Sequence, residues 1–218
     1  MAKGFLFDLN GTIVDDMRYH NQAWFDVLTK DLKANLTWDE VKKEMYGKNS
    51  ELMTRIFGTD RFTIEEMDHY SFEKEKRYQA AYKPALKLIA GLDTFLEQAA
   101  SQNIAMAIGS AAIMFNIDFV IDNLDIRRYF KAIVSADDVK KSKPHPETFL
   151  KCASLLNLQP SDCIVFEDAP KGVEAAKNAG MQAVAIMSAH EAEDFAEYDN
   201  VLCFIRNYND PQLQQLFK

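Results

Sequence analysis

The sequence has few cysteines, and none of them lies in a metal-binding or redox spacing. Among its 218 residues, Cys152, Cys163 and Cys203 are far apart, odd in number and outside any Cys-x-x-Cys pattern. This pattern argues against a disulfide framework and zinc ligands, and it is typical of buried thiols in a reducing compartment. We therefore expect a cytoplasmic protein.

Long apolar runs and an excess of positive charge are also missing. The start, MAKGFLFDL, contains no apolar stretch of the length that a signal peptide or a membrane span needs. The net charge of −8 argues against a general nucleic-acid binder. It does not exclude an anionic substrate, because a bound cation or a few lysines can reverse the sign of a pocket. We expect neither a nucleic-acid nor a membrane partner.

What the sequence does contain is enough apolar residues for a sizeable core, since 48% are hydrophobic and 27% charged. Its middle part, residues 16–84, shows only helical patterns and closes at Pro84. We expect helices at Tyr19–Lys30, Thr37–Met45, Asn49–Phe57 and Thr63–Tyr82. The second and the fourth open on a Thr-x-x-Glu capping box.

The remaining residues alternate between strand and helix patterns. We expect strands at Gly4–Phe7, Asn103–Gly109, Ala132–Ser135, Cys163–Phe166, Ala183–Met187 and, at an edge, Val201–Ile205. Helices are predicted between them at Gly91–Ser101, Ile113–Asn123, Glu147–Leu156 and Lys171–Ala179. Such alternation predicts an α/β fold with a doubly wound parallel-sheet (Rossmann-like) core. The core would comprise residues 1–15 and 85–218, with residues 16–84 as an inserted all-helical cap domain.

Polar residues follow four of the predicted strands, where ligands bind in open α/β sheets. These clusters are Asp8-Leu9-Asn10-Gly11-Thr12, Ser110, Lys143-Pro144, and Glu167-Asp168. Singly, each has a structural reading: an Asn-Gly turn, a helix cap at Ser110, a solvated loop charge at Lys143, and a cap for the helix near Pro170.

Together, the four clusters predict magnesium-assisted phosphoryl transfer. Mg²⁺ prefers one or two carboxylates, waters and phosphate oxygens. Asp8 can attack phosphorus covalently, while Lys143 and Ser110 can neutralise the oxygens of the transferring group.

The order and spacing of these motifs resemble the haloacid dehalogenase superfamily, whose first motif is normally Asp-x-Asp-Gly-Thr. The sequence is most similar to the β-phosphoglucomutase-like branch, which carries a helical cap after that motif. Three further signatures carry this resemblance: Tyr19-His20 with Ala23-Trp24, Lys143-Pro144-x-Pro146, and Glu167-Asp168-Ala169 with Gly172 and Ala175-Ala176.

The resemblance implies roles for the residues of the predicted core. Asp8 would be the nucleophile that becomes an aspartyl phosphate. Mg²⁺ would be held by Asp8, the backbone carbonyl of Asn10, Asp168 and the nearby Glu167. Ser110 and Lys143 would bind the transferring phosphate.

Other residues would contact the substrate by the same resemblance. Thr12 belongs to the first motif, His20 would be a hinge and relay residue, and Lys74 would match a substrate-contacting lysine of the mutases. His20 as a packed or surface residue, and Lys74 within a solvated EKEKR run, are the structural alternatives. Lys48 stands where the mutases present an arginine, and it lacks the bidentate geometry of that residue.

Asn10 departs from the family, which has a general acid and base at this position. An amide cannot deliver or accept the proton, and such assistance is worth about 10²–10⁴ in rate. Phosphorylation of Asp8 stays feasible, whereas turnover becomes the weak step. Asn10 could be native with His20 supplying the proton, native in a slow or specialised enzyme, or an engineered substitution that traps an intermediate.

The leading interpretation is a Mg²⁺-dependent phosphatase or phosphotransferase that acts through phospho-Asp8 on a small phosphorylated metabolite, such as a sugar phosphate. We expect it to be a monomer. The alternatives are a β-phosphoglucomutase, which converts a hexose 1-phosphate to the 6-phosphate, and a catalytically impaired protein that only binds a phosphometabolite.

Overall fold

The computed structural model describes residues 2–218, and its centre is a parallel sheet of six strands. The strands are β1 (Gly4–Phe7), β2 (Ala105–Gly109), β3 (Ala132–Val134), β4 (Cys163–Glu167), β5 (Gln182–Ile186) and β6 (Val201–Ile205). They lie in the order β3-β2-β1-β4-β5-β6, and every neighbouring pair is parallel. Strand β1 is therefore central, and the segments that leave β1, β2 and β4 emerge side by side at one edge.

Eight α-helices accompany the strands in the described part of the chain. They are α1 (Met17–Asp26), α2 (Trp38–Lys43), α3 (Asn49–Phe57), α4 (Ile64–Tyr82), α5 (Leu92–Ser101), α6 (Met114–Asn123), α7 (Glu147–Leu155) and α8 (Pro170–Asn178). Within residues 2–218, no helix has the length and apolar character that crossing a membrane requires. The chain divides into two compact units, an α/β unit of Met1–Asp15 with Lys87–Lys218, and a helical unit of Asp16–Leu86.

The core of the α/β unit lies on both faces of the sheet. The four residues of β1 are all buried. On one face, the rings of Phe5 and Phe7 pack against Phe95 and Phe166, and the Phe7 and Phe166 rings stack at 4.6 Å. On the other face, Leu6 joins an apolar cluster contributed by neighbouring strands and by α7 and α8. Burial on both faces explains the uninterrupted apolar sequence of β1.

The helical unit has a separate apolar core. Trp24, Val27 and Leu28 are buried there together with Leu52 and Met53. Both predicted capping boxes are confirmed, with the Thr37 and Thr63 side chains accepting from the backbone N–H three residues later.

Helix α4 differs from the other helices of this unit because none of its buried positions is aliphatic. They are Ser71, Lys74, Glu75, Tyr78 and Tyr82. A helix normally packs on its apolar face, so a polar buried stripe needs partners for its charges.

The predicted α/β fold with a parallel sheet is confirmed, and the element limits differ by a few residues. The predicted helix Tyr19–Lys30 changes into a π-helical turn at Val27–Asp31. There the Thr29 hydroxyl donates to the Phe25 carbonyl at 2.6 Å, which competes with the α-helical pattern. The predicted strand Asn103–Gly109 begins only at Ala105, because Asn103 has a φ of 59° and the chain is still leaving α5.

Candidate active site

The loop after β1 is a tight turn that brings Asp8 to the edge of the sheet. Asp8 is buried and continues the strand pairing, since its N–H donates to the Phe166 carbonyl at 2.9 Å. Beyond it, the Gly11 N–H donates to the Val14 carbonyl at 2.7 Å. Gly11 has a φ of 74°, a backbone conformation that favours glycine. The side chain of Asn10, in this turn, is half-buried.

Lys143 joins the loop of Asp8 to the end of β4. Its Nζ donates to Asp8 Oδ1 and to Glu167 Oε1, both at 2.7 Å. Burial lowers the pKa of Lys143, but the charges and hydrogen bonds of Asp8 and Glu167 outweigh it and raise the pKa above the ordinary lysine value. Lys143 is thus a buried ammonium, and its interpretation as a solvated loop charge is wrong.

Asp168 completes a group of three carboxylates. One oxygen each of Asp8, Glu167 and Asp168 lies within 4.8 Å of the others. Asp168 accepts from the Thr12 hydroxyl at 3.4 Å and from the Ser188 hydroxyl at 3.5 Å. Burial, followed by the charges of Glu167 and Asp8, raises the pKa of Asp168 well above its ordinary value.

The charge of this group matches a divalent cation. When ionised, three carboxylates against the single ammonium of Lys143 leave two net negative charges in a buried place. Bringing such charges together is costly unless a cation compensates them. Carboxylate oxygens at this spacing are the donors that Mg²⁺ prefers, so the residues present fit that ion.

Two glycines allow the carboxylates to sit where they do. A Cβ on Gly11 would lie 2.0 Å from Asp168 Oδ2, and a Cβ on Gly172 would lie 1.8 Å from Glu167 Oε1. In the sequence, Gly172 stands out only as part of a family signature. A glycine inside a predicted helix, where alanine is the better helix former, is the signal that points to such a contact.

We expect Gly172→Ala to destabilise the protein by about 1–3 kcal/mol, the usual range for overpacking. Helix propensity alone would favour alanine here by about 1 kcal/mol, so the sign of the change is diagnostic. The measurement is urea unfolding, with Glu167→Ala and the double variant completing a cycle. Removing the Glu167 carboxylate should relieve most of the cost, and independent, additive effects of the two substitutions would contradict the prediction.

Ser110 lies at the same edge, directly after β2, and is buried. Its N–H donates to the Val134 carbonyl at 2.9 Å, and its hydroxyl accepts from the Ala112 N–H at 3.1 Å. The hydroxyl therefore supports the turn into α6, although Ile113 and not Ser110 is the N-cap of that helix. The structure places Ser110 beside the strand of Asp8 without making it a member of the ion-pair cluster.

In the helical unit, His20 and Lys74 are in contact. Lys74 Nζ lies 2.7 Å from His20 Nδ1 and donates to both oxygens of Glu75 at 3.0 Å. Burial lowers the pKa of Lys74, against the raising effect of Glu75 and Asp16. All these side chains are buried, so the interpretations of Lys74 as solvated and of His20 as a surface residue are wrong.

The second ring nitrogen of His20 faces a carboxylate. His20 Nε2 lies 3.4 Å from Asp16 Oδ2, which also accepts from the Tyr78 hydroxyl at 2.5 Å. The rings of His20 and Tyr78 stack at 3.7 Å. Both ring nitrogens are thus engaged within the helical unit.

Lys48 directly precedes a residue that contacts this cluster. It is the half-buried N-cap residue of α3, and its N–H donates to Glu51 at 2.9 Å. The following residue, Asn49, donates to Glu75 Oε1 at 2.8 Å.

Three members of this cluster, Asp16, Glu75 and Tyr78, were not predicted from the sequence. The four-residue spacings Asp16–His20 and Lys74–Tyr78 place each pair on a common helix face and could have indicated Asp16 and Tyr78, but not Glu75.

Comparison with known proteins identifies relatives that cover most of the chain. Residues 5–186 match the sequence profile described as haloacid dehalogenase-like hydrolase. The fructose-1-phosphate phosphatase YqaB of Escherichia coli (strain K12) is 33% identical over 185 residues, which are 84% of this chain and 95% of that protein. The β-phosphoglucomutase of Bacillus subtilis (strain 168) is 32% identical over 189 residues, covering 84% of this chain and 83% of that protein.

A solved structure agrees with these sequence relatives. The crystal structure of the β-phosphoglucomutase of Clostridium difficile superposes with a TM-score of 0.85 at 27% sequence identity. The match covers 100% of this chain and 96% of that chain. The predicted resemblance to the β-phosphoglucomutase-like branch is therefore confirmed.

Proposed function

The chain belongs to the haloacid dehalogenase-like hydrolase family, and we propose that it is a Mg²⁺-dependent phosphatase or phosphotransferase of small phosphorylated sugars. The members of this family that are similar to it include phosphatases and a phosphomutase. The observation that carries the proposal is the buried contact of Lys143 with Asp8 and Glu167, beside Asp168. Its action in the cytoplasm and as a monomer stays a prediction.

Asp8 is the proposed nucleophile. One of its carboxylate oxygens forms a bond to phosphorus while the bond from phosphorus to the leaving oxygen breaks, which yields an aspartyl phosphate. Lys143, protonated and 2.7 Å from Asp8, is placed to neutralise oxygens of the transferring group, and Ser110 is proposed to donate to them as well. Asp8, Glu167, Asp168 and the Asn10 carbonyl would hold Mg²⁺, which supplies Lewis-acid charge when bound.

Asn10 limits the proton transfers that this reaction needs. Its amide can donate a hydrogen bond to a leaving oxygen, but it supplies no proton to an alkoxide and accepts none from water. His20 offers no ready replacement in this arrangement, since both of its ring nitrogens are engaged. We propose that the chain reacts best with phosphates whose leaving groups are weak bases, and that hydrolysis of phospho-Asp8 is its slow step.

The charges of the helical unit support a monophosphate substrate over a mutase intermediate. We propose that this unit contacts the organic part of the substrate, through His20, Lys48 and Lys74. Lys74 already binds both oxygens of Glu75, and Asp16 adds a second buried carboxylate. Two buried carboxylates, Asp16 and Glu75, therefore act on the one amino group of Lys74 in this cluster. Such a cluster disfavours a second phosphate.

The test is a panel of Mg²⁺-dependent reactions, run with the protein and with Asp8→Asn. Phosphate release is measured with acetyl phosphate, pyrophosphate, hexose monophosphates and hexose bisphosphates, and labelling of Asp8 is followed by peptide mass spectrometry. We expect Asp8 to be labelled fastest by acetyl phosphate, monophosphates to be used in preference to bisphosphates, and Asp8→Asn to be inactive.

Two other outcomes would assign a different function. Conversion of a hexose 1-phosphate to the 6-phosphate would establish a β-phosphoglucomutase, the activity in the name of the Bacillus subtilis relative. Saturable binding of sugar phosphates without labelling or turnover would establish a phosphometabolite-binding protein, a function that Asn10 favours.

A further inference from the structure

Tyr208 touches the candidate active site from a part of the chain that the family profile does not cover. It lies beyond residue 186, where the profile match ends, and three residues after β6. Its hydroxyl donates to the Thr12 carbonyl at 3.0 Å, and both residues are buried. Its N–H donates to the Ala90 carbonyl at 2.9 Å, which anchors the residue by its backbone as well.

The Tyr208 ring is held by aromatic packing that does not involve its hydroxyl. Its centroid lies 5.4 Å from that of Phe95, 5.9 Å from that of Phe166 and 6.4 Å from that of Phe7. Burial, followed by the charges of Asp168 and Asp8, raises the pKa of Tyr208 well above its ordinary value. The phenol therefore stays protonated and is a constant donor toward Thr12.

Thr12 transmits this contact to the carboxylates. Its carbonyl accepts from Tyr208, and its hydroxyl donates to Asp168 Oδ1 at 3.4 Å. Thr12 is fully buried, so loss of the phenol would leave its carbonyl without that donor and away from water. A shift of Thr12 would move the hydroxyl that orients Asp168.

We infer that Tyr208 is a positioning residue, whose hydroxyl fixes Thr12 and thereby holds the Asp168 carboxylate in place for a divalent cation. The inference rests on the proposed cation-dependent function and deepens it. Removing a group that orients a metal ligand without binding the metal itself typically lowers metal affinity by about 10- to 100-fold.

The test is Mn²⁺ binding to the full-length protein, measured by electron paramagnetic resonance in the absence of substrate. Tyr208→Phe keeps the ring and removes the hydroxyl, and we expect its Mn²⁺ affinity to fall about 10-fold or more. Tyr198→Phe is the matched control, because Tyr198 belongs to the same unit and its hydroxyl contacts Glu174 at 3.5 Å. The control should keep its affinity within about twofold, with thermal unfolding recorded for both variants.

A second pair of variants tests the route through Thr12. Thr12→Val removes the hydroxyl that reaches Asp168, whereas Thr12→Ser retains it. We expect Thr12→Val to weaken Mn²⁺ binding, Thr12→Ser to preserve it, and the double variant with Tyr208→Phe to be little worse than Thr12→Val alone. Should Tyr208→Phe fail to fold, the two Thr12 variants decide on the link to Asp168.

Three results would overturn the inference. A fall in the melting temperature of Tyr208→Phe with unchanged Mn²⁺ affinity would reduce Tyr208 to a structural residue. Additive losses in the double variant would show that it does not act through Thr12. Absence of Mn²⁺ binding by the unaltered protein would refute the cation-dependent function itself, and the inference with it.

Discussion

The substitution Asn10→Asp is expected to raise the rate of phosphate release from sugar monophosphates by about 10²–10⁴-fold. A carboxyl group at this position can protonate the leaving oxygen and then accept a proton from the water that attacks phospho-Asp8. Asn10 is half-buried and lies two residues after Asp8 in the same tight turn. In the labelling of Asp8, as distinct from phosphate release, the gain should be smallest with acetyl phosphate, whose leaving group needs no proton.

The measurement is steady-state phosphate release, with mass spectrometry of the peptide that contains residue 10. The peptide analysis excludes conversion of Asn10 to aspartate in the unaltered sample. The double variant Asp8→Asn with Asn10→Asp is the control and should be inactive. Equal rates for the unaltered protein and Asn10→Asp would mean that another group already transfers the proton, and the proposed slow step would be wrong.

The substitution Lys143→Met should abolish phosphoryl transfer and destabilise the protein by about 3–5 kcal/mol in the absence of divalent cations. Methionine has a similar length, but it leaves Asp8 and Glu167 buried without the ammonium that now lies 2.7 Å from each. Mg²⁺ should recover part of the lost stability, because it supplies positive charge to the same carboxylates.

Urea unfolding in EDTA and in Mg²⁺ measures both effects. Lys151→Met is the matched control, since Lys151 pairs with Asp138 at the surface of the same unit. We expect that control to change the free energy of unfolding by no more than about 0.5 kcal/mol, independently of Mg²⁺. A Lys143→Met protein that is as stable as the unaltered protein in EDTA would contradict this prediction. It would show that Asp8 and Glu167 are protonated or hydrated in the variant, and that their ion pairs with Lys143 do not stabilise the fold.

Much of the fold could be predicted because local sequence and tertiary structure agree. The apolar run of β1, the alternation after residue 90 and the capping boxes at Thr37 and Thr63 all appear in the structure as predicted. Motifs at strand ends also located Asp8, Lys143 and Glu167, because parallel strands bring their carboxyl ends to one edge.

Other contacts depend on distances in space that no local pattern encodes. Gly172, in a helix, leaves room for the Glu167 carboxylate. The Tyr208 hydroxyl donates to the Thr12 carbonyl, although the two residues are 196 positions apart in sequence. Glu75 is the clearest case, because in sequence it belongs to a polar run and looks solvated. Glu75 is buried beside Lys74 because both lie on the buried face of α4. The many charged residues of the run make this face hard to recognise from sequence.

The central place of β1 has a consequence for how the protein is made. This strand is synthesised before both of its partners, Ala105–Gly109 and Cys163–Glu167, which follow it about 100 and 160 residues later. At a synthesis rate of about 5–20 residues per second, the apolar segment Gly4–Phe7 waits on the order of ten seconds for β4. During this interval it is an unpaired strand, and a nascent chain that stalls before residue 163 would expose it to aggregation or to chaperones.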